Sequence, residues 1–512
     1  MDRAIRARVG IDSPERERAS RRRHRAAARR AGTFRLSRRR RPPRDDRSVH
    51  HRRGAADARG RPPCQPVADR RPSTARIPPE LPRARRDPRR RGGFHHLCAE
   101  FVLRVPEVRQ ALGAAASPES RAPSPEPRAA RVMFSLHIDT ARSWRGGQNQ
   151  VLLTVNGLRA IGERAALVAH PDGELRRRAS EGLELIPIAP RTEVDLSAAF
   201  RLSRVIKRLT PDVIHAHDPH GVAMAGLALS LGASSTKHGR APALVASRRV
   251  DFHLKGNSFS RWKYRQVDCF IAASDAIRQM LVADGVPAAQ TVTVHEGIDV
   301  EHVVAAPPVN VHEAFWLPHQ APVVGNVAAL VPHKGQRHLV EAAHLVVREM
   351  PDARFVILGE GELRDHLERQ VREHHLEKHV LLPGFRTDVL GCIKGFDLFA
   401  MSSVTEGLGT SILDAMACSR AIVGTRAGGI PEIVEDEETG VLVAPRDHTA
   451  MADAIVRLLR DDALRRQMGD AGFARVQARF TVERMVAETA AVYARMAGRV
   501  HAAGTVDRAG AD

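Results

Sequence analysis

Asp397-Leu-Phe-Ala-Met (397–401), followed after a short gap by Thr405-Glu-Gly-Leu-Gly-Thr-Ser-Ile-Leu-Asp-Ala-Met-Ala (405–417), reads as a buried strand, a glycine turn and a helix. The glycines let the backbone approach a ligand closely. The N–H groups around Gly409 and Thr410 then open a helix whose positive end can hold a pyrophosphate. Asp414 falls about one turn inside that helix, where its carboxylate can accept two hydrogen bonds from a ribose diol. Glu406, on the loop, can accept hydroxyls of a sugar beyond the phosphates. Acidic residues near a helix start are common because they favour that end of the dipole, so the rest of the chain has to decide.

Outward from this stretch the same alternation recurs. Apolar runs at 322–327, 354–359, 380–384, 421–425 and 441–443 bracket helical segments and predict one parallel sheet. An earlier copy begins at Phe134-Ser-Leu-His-Ile-Asp (134–139). It continues through Arg-Gly-Gly-Gln (145–148), a helix carrying Val151, Leu152, Val155, Leu158 and Ile161, and strands at 165–169, 212–217, 243–247 and 268–273. Strands and helices alternating at this spacing predict an α/β fold of two doubly wound, Rossmann-like domains facing a central cleft, with ligands at the carboxyl ends of the strands. The expected divisions are an N-terminal domain over 133–305, a C-terminal domain over 306–480 and a helix over 481–499 that packs back on the first domain. Pro307, Pro308 and Pro318 mark the linker, and the tail 500–512 is expected to fray.

Charge divides the 512-residue chain differently. Of the formal +21, residues 1–132 carry +22, from 36 Arg, no Lys and 14 acidic residues, while 133–512 carry −1. The basic segment is rich in Pro and poor in apolar periodicity, which predicts disorder. It reads as an arginine-rich arm for nucleic acid or anionic lipid, as a transit-like peptide, or as translated upstream sequence with Met133 as the first residue of the protein. The complete absence of Lys favours the last reading. The near-neutral remainder argues against nucleic acid as a partner of residues 133–512. Cys64, Cys98, Cys269, Cys392 and Cys418 form no C-x-x-C pair, which argues against a zinc ribbon or disulfide framework and suits buried thiols in a reducing cytoplasm. No apolar run reaches a membrane span.

Residues 405–417 resemble the E-x7-E signature of family 4 glycosyltransferases, retaining enzymes of the two-domain GT-B fold. Pro332-His-Lys-Gly (332–335), Leu358-Gly-Glu-Gly-Glu-Leu (358–363), Ala427-Gly-Gly-Ile-Pro-Glu-Ile-Val (427–434) and Thr439-Gly-Val-Leu-Val (439–443) match other family segments in order, so the resemblance covers about 133–498. It implies that Glu406 contacts the donor sugar and that Asp414, replacing the usual glutamate, binds ribose. Gly407, Leu408, Gly409 and Thr410 would cradle the donor, and Lys334 would neutralise its diphosphate. The family usually has an arginine five residues before that lysine. Here the place is Ala329, with Arg337 a candidate substitute.

On the first domain, Gly146 and Gly147 match the family's glycine turn, and His217 matches the histidine that contacts the reacting sugar. His215 lies deeper on the same strand and reads as structural. Glu296-Gly-Ile-Asp (296–299) reads as architectural. The resemblance implies a nucleotide-diphosphate sugar donor, UDP- or GDP-linked, with no cofactor and no metal. Transfer would proceed by same-face displacement in which the departing diphosphate takes the acceptor proton. No first-domain carboxylate is expected where a covalent nucleophile would stand.

The acceptor is expected to be a glycan or lipid-linked molecule of the cell envelope, such as lipopolysaccharide. Arg248, Arg249, Lys255, Arg261, Lys263 and Arg265 interleave with Phe252, Phe259, Trp262 and Tyr264, a composition that suits an anionic head group. Arg201, Arg204, Lys207 and Arg208 form a polar helix face. These features make the inner face of the plasma membrane a candidate contact for a cytoplasmic, peripheral enzyme. The rival readings are another GT-B enzyme, a sugar-nucleotide epimerase or phosphorylase, and an Arg-rich nucleic-acid-binding protein.

Overall fold

The computed structural model describes residues 132–179, 181–232, 241–254 and 256–506. The basic segment over 1–131, Lys255, Cys64, Cys98 and the end of the tail over 507–512 lie outside the described residues. The helix expected over 481–499 spans Val482–Val506, so it runs on into the stretch expected to fray.

The first sheet consists of β1 (Phe134–Asp139), β2 (Arg164–Ala169), β3 (Glu184–Pro187), β4 (Val213–Ala216), β5 (Ala243–Arg248), β6 (Cys269–Ala272) and β7 (Thr291–Thr293). Its strands are parallel in the order β3-β2-β1-β4-β5-β6-β7. The second sheet consists of β8 (Val323–Val327), β9 (Arg354–Leu358), β10 (Val380–Gly384), β11 (Leu398–Met401), β12 (Ile422–Thr425) and β13 (Gly440–Val443), parallel in the order β10-β9-β8-β11-β12-β13. The central strands are mostly apolar and buried, because helices cover both faces, with buried polar residues such as His137, Asp139 and His215 among them. Edge strands β3 and β7 are short and half-exposed, which is why no apolar run announces them.

Strand order reverses between β1 and β4 in the first sheet and between β8 and β11 in the second. Crossovers leave in opposite directions at these points and open a crevice at the carboxyl ends. Helix α1 (Gly146–Ala160) follows β1, α2 (Leu196–Leu209) precedes β4, and α3 (Pro219–Ser230) follows it. Further along are α4 (Ser258–Arg265), α5 (Asp275–Ala283), α6 (Gln336–Glu349) and α7 (Thr410–Ala417). The proline-interrupted stretch after residue 300 forms two short helices, Val300–Ala305 and Val311–Ala314, rather than an open linker.

The final helix, α8 (Val482–Val506), lies on the first sheet. Its Met485, Val486, Val492, Tyr493 and Met496 are buried against Leu158, Val213, Val245 and Ile271. Gly157 of α1 permits this approach, since a Cβ there would lie 2.3 Å from Val486 Cγ2. Gly157→Ala gains about 1 kcal/mol of helix propensity, yet overpacking of this kind costs about 1–3 kcal/mol. Denaturant unfolding should therefore find Gly157→Ala destabilised, and Gly157→Ala/Val486→Ala less destabilised than the two single costs added.

Candidate active site

Loops leaving β1, β4, β8 and β11 meet in one cavity of about 1120 Å³. Gly146, Gly147, His217, Lys334, Glu406, Gly407, Leu408, Gly409, Thr410 and Asp414 all line it. These residues come from both halves of the chain, and the fold brings them to one place. Arg337 is not among them. It is exposed on α6, and its Nε lies 3.1 Å from His338 Nε2, so it does not fill the place left by Ala329, which does line the cavity.

Two helix starts converge there. α7 begins after Gly409, whose φ of +100° suits glycine, and no side chain caps the helix. α1 also lacks a side-chain cap of its first N–H groups, although Gln148 Oε1 turns back to accept from Arg145 N at 3.1 Å. A Cβ on Gly146 would sit 3.0 Å from Thr410 Oγ1, so the starts of the two helices lie close together. Both present their positive ends to one volume, an arrangement that draws anions.

Lys334 Nζ donates to Glu406 Oε2 at 2.6 Å, and Ser403 Oγ donates to the same oxygen at 2.9 Å. Gly335, at φ +65°, shapes the turn that aims Lys334. A Cβ there would meet Ser402 O at 2.2 Å. Asp414 is partly buried within α7, and desolvation pushes its carboxyl up to about 7. Leu408 lines the cavity from the loop but belongs to the buried core.

His217 is placed less simply than expected. His137 Nδ1 lies 2.9 Å from His217 Nε2, and Arg249 Nη1 lies 3.1 Å from His217 Nδ1. A guanidinium can only donate, so His217 Nδ1 accepts, and its proton must sit on Nε2, facing His137. His137 then accepts at Nδ1 and donates from Nε2 to Ser135 Oγ, 3.0 Å away. Burial holds all three histidines neutral. His137 falls to about 3, and His215 and His217 fall well below the usual range, with Arg249 and neighbouring imidazoles adding to the effect.

Both ring nitrogens of His217 are thus engaged within the protein, where the resemblance had it contacting the sugar. His137, His215 and His217 are close enough to suggest metal ligands. The Arg249 guanidinium, however, already donates into this cluster, and the His137 and His217 nitrogens face each other at hydrogen-bond distance. Its geometry is that of a hydrogen-bond chain.

On the first-sheet side, sequence reasoning assigns Asp139 and Asp218 no part in the site and reads Glu296 as architectural. Asp139, Asp218 and Glu296 line the cavity, but each has a partner. Asp139 accepts from Gln148 Nε2 at 3.1 Å and from Ala141 N at 3.0 Å. Burial, with Asp218 nearby, raises it to about 6. Asp218 caps α3 through His220 N and Gly221 N. Glu296 pairs with Arg249, Nε to Oε1 at 2.9 Å.

The basic-aromatic stretch is not a single surface. Lys263 is 2% exposed and bonded to Glu193, Arg248 donates to Phe252 O, and Arg249 faces the cavity. Amphipathic spacing could not reveal which cations turn inward.

The halves are tied around this cavity. Glu432 accepts from Asp275 N at 2.8 Å and Ala276 N at 2.9 Å at the start of α5. Ser274 Oγ donates to Gly407 O at 2.7 Å.

The family described as "Glycosyl transferases group 1" matches residues 311–475, and that described as "Glycosyltransferase Family 4" matches 144–302, together well over half of the chain. Among curated proteins, the N-acetyl-alpha-D-glucosaminyl L-malate synthase of Bacillus anthracis is 27% identical over 305 residues, 58% of this chain and 78% of that protein. The putative glycosyltransferase EpsD of Bacillus subtilis is 28% identical over 326 residues, 60% of this chain and 83% of its own length. Among solved structures, Anabaena HepE in complex with UDP and glucose aligns with a TM-score of 0.61 at 20% identity, covering 71% of this chain and 100% of that one.

The raised Asp414 carboxyl has a consequence for stability. The folded protein holds this proton more tightly than the unfolded chain, so the group costs stability as pH climbs from about 4 to about 7 and adds no further cost above. Thermal unfolding at pH 5 and pH 8 should show Asp414→Asn gaining on the wild type at the higher pH, by up to about 3 kcal/mol.

Proposed function

We propose that this chain, which belongs to the group 1 glycosyltransferases of the GT-B fold, moves a sugar with retention from a UDP- or GDP-linked donor to a hydroxyl of a cell-envelope or lipid-linked glycan. The observation that carries this reading is the Lys334–Glu406 pair standing beside two convergent helix starts. A diphosphate placed there meets the N–H groups of α1 and α7 and the Lys334 ammonium, positive charge that a divalent ion would otherwise have to supply. Glu406 then turns its acceptor oxygens to the donor sugar, and Asp414 takes the ribose diol. The domain over 306–480 binds the donor and that over 133–305 the acceptor.

In the transfer step the bond from the anomeric carbon to the diphosphate oxygen breaks, and its electron pair stays with the diphosphate. The acceptor oxygen bonds to the same face of that carbon, and its proton passes to the departing diphosphate. The enzyme's contribution is charge stabilisation and orientation.

Among the described residues no helix is long and apolar enough to cross a membrane. We place the protein at the inner membrane face, docked through α2. There Leu196 (60% exposed) and Phe200 (57%) stand beside exposed Arg201, Arg204, Lys207 and Arg208.

Three measurements test this reading. In a thermal-shift panel of nucleotide sugars on the full chain, a true donor at 100 times its Kd should add about 2.7 kcal/mol of stability. Glu406→Gln should remain folded and lose turnover of that donor by about 100-fold or more; turnover at the wild-type rate would remove Glu406 from the site. For docking, co-sedimentation at low salt with vesicles containing phosphatidylglycerol should fall in Phe200→Glu relative to the wild type. Because both proteins carry residues 1–132, their basic charge cancels from the comparison.

A further inference from the structure

Arg249 follows β5 and lies between the two glycine turns of the cavity. A Cβ on Gly147 would stand 3.8 Å from its Cδ, and one on Gly407 would strike its carbonyl oxygen at 2.0 Å. Its Nε donates to Glu296 Oε1 at 2.9 Å and its Nη1 to His217 Nδ1 at 3.1 Å. These bonds use two of the five guanidinium N–H donors and leave three. Glu296 feels Arg249, Glu406 and Lys334 together, so the four charged groups share one electrostatic neighbourhood. Ala329 lines the same cavity without a charge, and Arg337 turns away from it.

We propose that Arg249 is a catalytic residue that supplies the second cation for the donor diphosphate, from the first-sheet side of the cleft, where Ala329 offers none from the second. The inference rests on the nucleotide-diphosphate reading above. Glu296 and His217 are positioning residues. Glu296 fixes Nε, and His217 fixes Nη1 through a chain whose direction runs Arg249 to His217 to His137 to Ser135, each group donating to the next. A neutral imidazole suits this task, since a charged one would repel the guanidinium. As the anomeric bond breaks and its electron pair passes to the diphosphate, Arg249 and Lys334 meet the added negative charge from opposite sides of the cleft. Loading the diphosphate then bridges the two halves electrostatically.

The test is calorimetric binding of UDP, UMP, GDP and GMP to the full chain, read as the ratio of diphosphate to monophosphate affinity for the base that binds. Arg249→Gln should lower the diphosphate affinity about 10–100-fold and leave the monophosphate affinity within about two-fold. Loss of Arg249 strands a buried carboxylate at Glu296. The same ratio is therefore measured in Arg249→Gln/Glu296→Gln, with circular dichroism confirming the fold. Arg249→Gln/Ala329→Arg should recover much of the ratio by returning a cation from the other wall. His217→Phe should lower the ratio less than Arg249→Gln does, and should lower it no further in the Arg249→Gln background, which a merely structural role would not produce.

An unchanged ratio in Arg249→Gln, or equal loss of diphosphate and monophosphate binding in both Arg249 variants, overturns the inference while leaving the donor reading in place. A wild type that binds neither UDP nor GDP overturns the donor reading and this inference with it.

Discussion

Two helices start where they nearly collide. Gly146 and Thr410 come close to each other from opposite halves of the chain, and neither helix has a side chain covering its first N–H groups. Parallel sheets impose this. All strands of each sheet end on one side, and each order reverses next to its first strand, so the loops after β1 and β11 both open onto the crevice. Once the two partial positive charges share a volume, the surrounding side chains must either neutralise it or leave it for an anion.

The side chains take a middle course: they bring more positive charge and hold each cation with a carboxylate. Lys334 is paired with Glu406 and Arg249 with Glu296, one pair on each wall. Burying a lone cation there would be costly, and a paired one is tolerable. A pair is also adjustable. A dianion in the cavity would compete for the cations and free carboxylate oxygens to accept hydroxyls. The carboxylates Asp139 and Asp218, tied to backbone N–H groups and Gln148, take no part in this exchange and hold the strand ends in shape.

What could be read from the sequence was local. Lys334, Glu406 and the glycine turns are set by a few consecutive residues, and a central strand such as β11 is a continuous apolar run, so both fold and motif sites showed in the order of the letters. Arg249 and His137 were missed because their roles depend on register. His137 lies directly beside His215 across the β1–β4 pairing, and His217 stands just past the end of β4, a relation that no spacing along the chain records. Lys263 misled for a related reason. Its helix has cations and aromatics at surface-like intervals, yet Glu193, seventy residues away in sequence, draws the lysine inside. Edge strands β3 and β7 escaped because half-exposed strands lack the apolar signature.

The same histidine layer changes the meaning of the last helix. Tyr493 of α8 places its hydroxyl 2.5 Å from His215 Nδ1, and the other ring nitrogen of His215 lies 2.7 Å from Ser247 Oγ on β5. The rings of His215 and His217 stand 4.0 Å apart between centroids, and His217 in turn holds Arg249. The C-terminal helix therefore does more than cover apolar strands: through Tyr493 it completes the polar floor under the cleft cation. All three imidazoles are kept neutral by burial, so the layer transmits position rather than charge. The seating of α8, which depends on the bare face of Gly157, is in this way a condition for the geometry around Arg249, eight strands earlier in the chain.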